Sequence, residues 1–280
     1  MTPDGLLILH VCVCLLCVCC VPSGESLHFT CRALDDKDAK ALSALAALQP
    51  TKCTLIVSIN LSHNHLGDAG AVALGTALAG GAPALRKLLL HENRIGDVGV
   101  TAIAAAMRPS GAPGLRDVRL SFNAVGGAGM AAVADAFSSG GATELQELHA
   151  SANTIGDAGL AALAAQLNAA PRLQVLALGS SSGGNLVGDD GARALVLALG
   201  AMEARAHGKL TINLKNNKLT PAGEAVLDEV GSAHPTLHIA CRSIGARVDL
   251  GDDASPPSSQ LNSREATPLT TPSEKPPESP

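Results

Sequence analysis

The sequence predicts an α/β fold: a right-handed solenoid of about eight β-strand–α-helix units, curved like a horseshoe, with a parallel sheet on its concave side and helices outside. Three observations predict it. An asparagine recurs every 29–32 residues, an alternating pair of aliphatic residues precedes it, and a helical pattern of apolar residues follows it. Because 46% of the 280 residues are hydrophobic and only 1% are aromatic, the core must be built from aliphatic side chains.

Residues 1–26 form a hydrophobic leader, in which Leu6–Val21 is apolar apart from His10. This run of 16 residues is shorter than the roughly 20 that a membrane-spanning helix needs, and a small polar segment follows it, as in a secretory signal peptide. The run holds five cysteines and no Lys or Arg precedes it, so a palmitoylated anchor and a misplaced start codon are alternatives. The secretory pathway and the cytoplasm both stay open, and membrane contact is expected only if the leader is an anchor.

The repeat is marked by six asparagines at spacings of 29, 30, 30, 32 and 32 residues: Asn64, Asn93, Asn123, Asn153, Asn185 and Asn217. Before each lies an aliphatic–x–aliphatic segment, such as Leu88 and Leu90. This alternation predicts a short strand with one buried face. We expect each asparagine amide to satisfy backbone groups that the turn leaves unpaired, so that the asparagines stack into a ladder.

After each asparagine, apolar residues recur with the spacing of one helix face. Asp68, Asp97 and Asp157 stand at the start of this pattern, and we expect each to cap its own helix by accepting a backbone N–H. Thr220 is followed by proline, which predicts a cap with proline at the first helical position. Gly127 replaces the aspartate in one repeat, so the helix that begins there should start less firmly.

The strings Leu85-Arg-Lys-Leu-Leu-Leu-His-Glu-Asn-Arg-Ile-Gly-Asp and Leu145-Gln-Glu-Leu-His-Ala-Ser-Ala-Asn-Thr-Ile-Gly-Asp resemble leucine-rich repeats of the ribonuclease-inhibitor class. The resemblance covers residues 27–249, with weaker units at both ends, and we take this range as the repeat domain. It implies a protein-interaction horseshoe rather than an enzyme. Families with such repeats include ribonuclease inhibitor, the Ran GTPase-activating protein and the repeat regions of NOD-like receptors.

Side chains between the buried strand positions should line the concave surface, which we call the sheet face. Its centre is expected to carry nine candidate partner-binding residues: Lys87, Leu89, His91, Glu92, Asp117, Arg119, Phe122, Glu147 and His149. Arginine and aromatic residues are favoured anchors in protein interfaces, so a protein partner is expected here. Asp117 and Glu147 face the same way and are interpreted as a charge complement to Lys87 and Arg119. We expect no catalytic, cofactor-binding or metal-binding residues.

The remaining features bear on partners. Residues 27–249 carry 18 basic and 18 acidic side chains, so no nucleic-acid partner is expected. We also expect the protein to be a monomer. Residues 250–280, which contain seven prolines and nine Ser or Thr, are predicted to be a disordered tail. Two alternatives to a non-catalytic protein-interaction scaffold remain. One is a Ran-type GTPase activator, although this tail is not strongly acidic; the other is a secreted or surface recognition module.

Overall fold

The computed structural model describes residues 26–28, 30, 33–38, 56–141, 143–201 and 208–241. All of them belong to a compact unit spanning Met1–Gly245, and a second unit spans Ala246–Pro280. The predicted leader up to residue 25 and the predicted tail, residues 250–280, lie outside the described residues. Within the described ranges, no helix has the length and apolar character needed to cross a membrane.

Eight strands form one parallel sheet in chain order, as the repeat predicts. Neighbouring units pair in register, so that Lys87 lies opposite Asp117 and Asp117 lies opposite Glu147. Equivalent positions of successive units therefore form columns across the sheet. The strands are β1 (Ser26–His28), β2 (Ser58–Asn60), β3 (Lys87–Leu89), β4 (Asp117–Arg119), β5 (Glu147–His149), β6 (Val175–Ala177), β7 (Leu210–Asn213) and β8 (Leu237–Ala240).

One helix follows each strand from β2 to β7. The helices are α1 (Asp68–Ala79), α2 (Asp97–Ala106), α3 (Gly127–Ser138), α4 (Gly156–Ala165), α5 (Asp189–Gly200) and α6 (Pro221–Ala233), and a short 3₁₀ helix (Leu167–Ala169) follows α4. Strand residues such as Leu88 and Val118 share one buried cluster with helix residues such as Ile103 and Phe137. The helices therefore cover one face of the sheet and leave the other as the sheet face.

The predicted asparagine ladder is confirmed, and each of its members reaches back to the preceding unit. Asn153 Oδ1 accepts the N–H of Val125 at 2.9 Å, and its Nδ2 donates to the carbonyls of Leu120 at 2.9 Å and Ala150 at 3.1 Å. Every ladder asparagine likewise accepts an N–H from the preceding unit: Asn64, Asn93, Asn123, Asn153, Asn185 and Asn217. Each of the six junctions from β1–β2 to β6–β7 is thus held by an asparagine of the later unit.

The helix-start aspartates reach the opposite way, into the following unit. Asp97 Oδ1 accepts the N–H groups of Gly126 at 2.6 Å and Gly129 at 2.9 Å, at the start of α3. Asp36, Asp68 and Asp157 make the same pair of contacts one unit on. The prediction that Asp68, Asp97 and Asp157 cap their own helices is therefore wrong. Each carboxylate stands at or after the first helical residue, beside the neighbouring helix, and not before its own.

Gly127 stands where the neighbouring units have the aspartate, so this series of contacts is interrupted. The helix that loses an aspartate cap is α4, in the next unit, and not α3. Helix α3 keeps Asp97 as its cap, so the prediction of a weak start at Gly127 is wrong. Helix α4 has no aspartate in the preceding unit to cap it. Gly156 instead adopts a left-handed conformation with φ +64° and donates its N–H to the carbonyl of Asn185 at 2.8 Å. The junction between β4 and β5 thus keeps its asparagine contact but lacks the forward aspartate contact.

Thr220 caps α6 as predicted. Its Oγ1 accepts the N–H of Ala222 at 3.2 Å, and Pro221 occupies the first helical position. Thr220 also donates its hydroxyl to Asp189 Oδ2 at 2.6 Å and its N–H to Oδ1 at 2.9 Å. These two bonds, the hydroxyl bond first, hold the pKa of the Asp189 carboxyl below its ordinary value. The charged Asp189 carboxylate of α5 therefore holds Thr220, the cap of α6, in place by accepting two hydrogen bonds.

Replacing Asp97 with alanine tests the contacts between units. Because the change leaves two N–H groups of α3 without an acceptor, we expect the free energy of unfolding to fall by about 1–2 kcal/mol in urea titrations. Asp97→Asn, which keeps one acceptor oxygen, should cost less. The exposed Asp135 of α3 is the matched control, and Asp135→Ala should change stability by no more than about 0.5 kcal/mol. Equal losses in the two alanine variants would contradict the assignment.

Candidate functional site

The centre of the sheet face is built by β4 and β5. Side chains alternate along a strand, so Val118 enters the core while its neighbours Asp117 and Arg119 lie on the sheet face. On β5, Glu147 and His149 occupy the matching positions, because Asp117 pairs with Glu147 and Arg119 pairs with His149 in the register. Four polar side chains predicted from separate repeats are thus brought together.

These four residues form a connected group that we call the ion-pair cluster. Arg119 Nε donates to Asp117 Oδ1 at 3.2 Å, and Arg119 Nη2 lies 3.6 Å from Glu147 Oε2. The Nε2 atom of His149 lies 3.1 Å from the same Oε2. Glu147 therefore joins the arginine to the histidine, and the two carboxylates share one guanidinium. Asp117, Glu147 and His149 are also a group that could hold a metal ion.

Burial separates the members of the ion-pair cluster. Asp117 is 6% exposed and His149 is 7% exposed, whereas Arg119 and Glu147 are half-buried. Asp117 and His149 therefore lie at sheet-face positions but are buried, which the sequence did not indicate. Lys87 is exposed, and among the described residues no ion pair joins it to either carboxylate. The carboxylates therefore complement Arg119 and not Lys87.

A second polar group lies just after β2 and β3, at the asparagine turns. His63 Nδ1 lies 2.7 Å from Glu92 Oε2, and the rings of His63 and His91 meet edge to face with their centroids 5.1 Å apart. Sequence reasoning placed His91 and Glu92 in the candidate site but missed His63. The signal was available, because His63 and Glu92 both stand one position before a ladder asparagine, in adjacent units.

The apolar part of the site consists of Phe122, which is 38% exposed, and the half-buried Leu89. Phe122 adopts a left-handed conformation with φ +57°, which is uncommon for a bulky residue. His63, Glu92 and Ala152 share this conformation at the equivalent position, so the repeat turn imposes it. The N–H of Asn93 donates to the carbonyl of Phe122 at 3.2 Å and helps to fix the turn. The turn, rather than core packing, therefore holds Phe122 at the surface.

Within the described residues, an eight-stranded parallel sheet with a helix after most strands and a buried or half-buried asparagine at six successive turns defines a β–α solenoid repeat protein. The family model described as "Leucine Rich repeat" matches four successive segments of the chain, residues 52–75, 83–104, 114–134 and 143–164. These four segments, which together make up about a third of the chain, match leucine-rich repeats. The resemblance seen in the sequence and the predicted fold class are both confirmed.

Several solved structures are similar to the chain at low identity. An internalin, InlF of Listeria monocytogenes, matches at 18% identity with a TM-score of 0.42 over 74% of this chain. The plant peptide hormone receptor RGFR1, solved in complex with RGF2, matches at 14% with a TM-score of 0.30 over 73% of this chain. A TDR receptor matches at 14% identity with a TM-score of 0.27 over 85% of this chain.

The chain spans only part of each of these structures. It covers 51% of the internalin chain, 35% of the RGFR1 chain and 44% of the TDR receptor chain. No curated protein sequence matches the chain. The family model therefore identifies leucine-rich repeats in part of the chain, and the partner has to be inferred from the site.

Proposed function

We propose that the chain is a non-catalytic scaffold that binds a protein partner on the sheet face. The observation that carries the proposal is the placement of Arg119 between two carboxylates at the centre of that face, with Phe122 and Leu89 nearby in the repeat. Arginine and aromatic side chains supply most of the binding energy in many protein interfaces. An intracellular or an extracellular partner would use the same surface.

The ion-pair cluster supports this role because it orients Arg119 before any partner arrives. Asp117 and Glu147 hold the guanidinium from β4 and β5, whose positions are fixed by the register of the sheet. Ordering a long side chain on binding costs about 0.5–1.5 kcal/mol, and a side chain that is already held loses less freedom. The Arg119 side chain remains 29% exposed, so a partner can contact it on the sheet face.

The double variant Arg119→Ala/Phe122→Ala tests the proposal. The immobilised chain is used to capture proteins from lysate of its own cells, and the captured proteins are quantified by mass spectrometry. If each anchor is worth about 2 kcal/mol, losing even one weakens binding roughly 30-fold, so specific partners should disappear from the double variant. Circular dichroism confirms that the variant is folded.

A matched control removes the same two kinds of side chain from the helical side. Arg193→Ala/Leu197→Ala on α5 deletes an exposed arginine and a leucine that is 76% exposed. We expect this variant to keep the partners of the wild type. Partners lost only from the α5 variant would move the binding surface to the helices, and partners retained by both variants would refute a central site on the sheet face.

A further inference from the structure

We infer that Asp117, Glu147 and His149 form a binding site for a divalent transition-metal ion, of which Zn²⁺ fits best. Each residue offers one ligand atom, and the three atoms all lie within 4.8 Å of one another. The sequence did not reveal this group, because its residues come from two repeats and have no short metal-binding spacing. The site does not depend on the protein partner proposed above.

The ligand set suits zinc. Zinc binds imidazole nitrogen and carboxylate oxygen at about 2.0–2.2 Å, usually with four ligands in a tetrahedron. Such a tetrahedron places neighbouring ligand atoms about 3.4 Å apart. His149 Nε2 and Glu147 Oε2 already lie 3.1 Å apart, so two of the three ligands stand near the required separation. The Asp117 carboxylate lies within 4.8 Å of the other two ligand atoms, so it has to approach them by at most about 1.4 Å to complete the set.

The strands hold these ligands in place before a metal arrives. Asp117 and His149 are both more than nine-tenths buried, and they lie on adjacent strands whose register is fixed by backbone pairing. Glu147 is more open, with its side chain 41% exposed. Three protein ligands leave one tetrahedral position for water or for a group of a partner. A metal here would therefore sit on the sheet face and take its fourth ligand from solvent or from a bound molecule.

Arg119 is the group that a metal must displace. Its guanidinium lies 3.2 Å from Asp117 Oδ1 and 3.6 Å from Glu147 Oε2, so it supplies the positive charge that the two carboxylates need. A dication at the same carboxylates is repelled by the guanidinium and competes with it. Arg119 is 29% exposed and carries a flexible side chain, so it can move into solvent. Removing its charge should strengthen zinc binding, whereas removing a ligand should weaken it.

Isothermal titration of the full chain with zinc chloride tests the site. The variants Glu147→Gln and His149→Gln each remove one ligand at nearly constant volume, and Arg119→Gln removes the competing charge. His65→Gln is the control, because it removes an exposed histidine outside the group. Since thiolates are also zinc ligands and the chain has eight cysteines, the isotherm of the double variant Glu147→Gln/His149→Gln is subtracted as background, with Glu147→Gln alone used if the double variant does not fold. Urea unfolding of each variant shows that it is folded.

We expect one zinc per chain above background, unchanged affinity in His65→Gln, about tenfold tighter binding in Arg119→Gln, and on the order of 100-fold weaker binding in Glu147→Gln. Glu147 is half-exposed, so its variant folds even if His149→Gln does not. A wild-type isotherm equal to the background, or one that Glu147→Gln leaves unchanged, would overturn the site. Zinc binding that fails while partner capture persists would refute only the metal site.

Discussion

Asn153→Ala is expected to lower the free energy of unfolding by about 2–3 kcal/mol. The change leaves the buried N–H of Val125 without its acceptor. It also removes one of two asparagine donors from the carbonyls of Leu120 and Ala150, which keep their bonds to Asn123 and Asn185. Each buried polar group left unsatisfied costs about 1–3 kcal/mol. Urea unfolding followed by circular dichroism measures the loss. The exposed Asn168 is the control, and Asn168→Ala should stay within about 0.5 kcal/mol of the wild type.

A comparison with Asn93→Ala separates the local loss from its effect on cooperativity. Asn93 makes the same kinds of bond, but its junction also has the contacts from Asp68 to Gly96 and Gly99. The junction of Asn153 lacks an aspartate contact of this kind. We therefore expect a shallower or two-step urea transition for Asn153→Ala and a single steep transition for Asn93→Ala. Identical slopes would show that the aspartate contacts do not couple neighbouring units.

Phe137→Ala is expected to destabilise the protein by about 3–5 kcal/mol, the usual cost of deleting a buried aromatic ring. Phe137 of α3 is fully buried, and the cluster around it consists of aliphatic residues such as Val133 and Leu167. With no large neighbour to fill the space, a cavity should remain after the ring is removed. Phe137→Leu should cost less than about 1.5 kcal/mol, because leucine restores much of the volume.

The exposed Phe122 provides the matched control for Phe137. Phe122→Ala removes the same ring from a side chain that is 38% exposed, so it should change the free energy of unfolding by no more than about 0.5 kcal/mol. Thermal unfolding followed by circular dichroism compares the two variants directly. A loss at Phe122 as large as the loss at Phe137 would mean that Phe122 belongs to the structure of the repeat and is not a free anchor for a partner.

The fold could be predicted from the sequence because each unit repeats the same local pattern. Alternation around Leu88 and Leu90 specifies a strand with one buried face, and the asparagine that follows specifies the turn. The register then follows from stacking equal units. The aspartate contacts could not be predicted in this way. Asp97 looks like a cap for its own helix, and only the packing of neighbouring helices shows that its carboxylate reaches Gly126 and Gly129, 29 and 32 residues away.

The candidate site could be predicted in part. The sequence placed Asp117, Arg119, Glu147 and His149 on one face, because position within the repeat determines the face of the sheet. It could not show that Asp117 and His149 are buried, because exposure depends on the packing of surrounding side chains, which the position within the repeat does not specify. Nor could it show that Arg119, rather than Lys87, forms ion pairs with Asp117 and Glu147, because ion pairing depends on side-chain distances of a few ångströms.

The opposite directions of the asparagine and aspartate contacts have a consequence for how such an array can change its length. Each unit carries one side chain for the junction before it and, where the aspartate is present, one for the junction after it. A duplicated unit inserted into the array carries both its asparagine and its aspartate, so it can make the contacts of a junction on each side. Deleting the first unit removes the aspartate that caps the helix of the next unit. Deleting a later unit at the carboxy-terminal end removes the asparagine that satisfies backbone groups in the turn of the unit before it. Inserting an internal unit should therefore cost less stability than deleting a unit at either end.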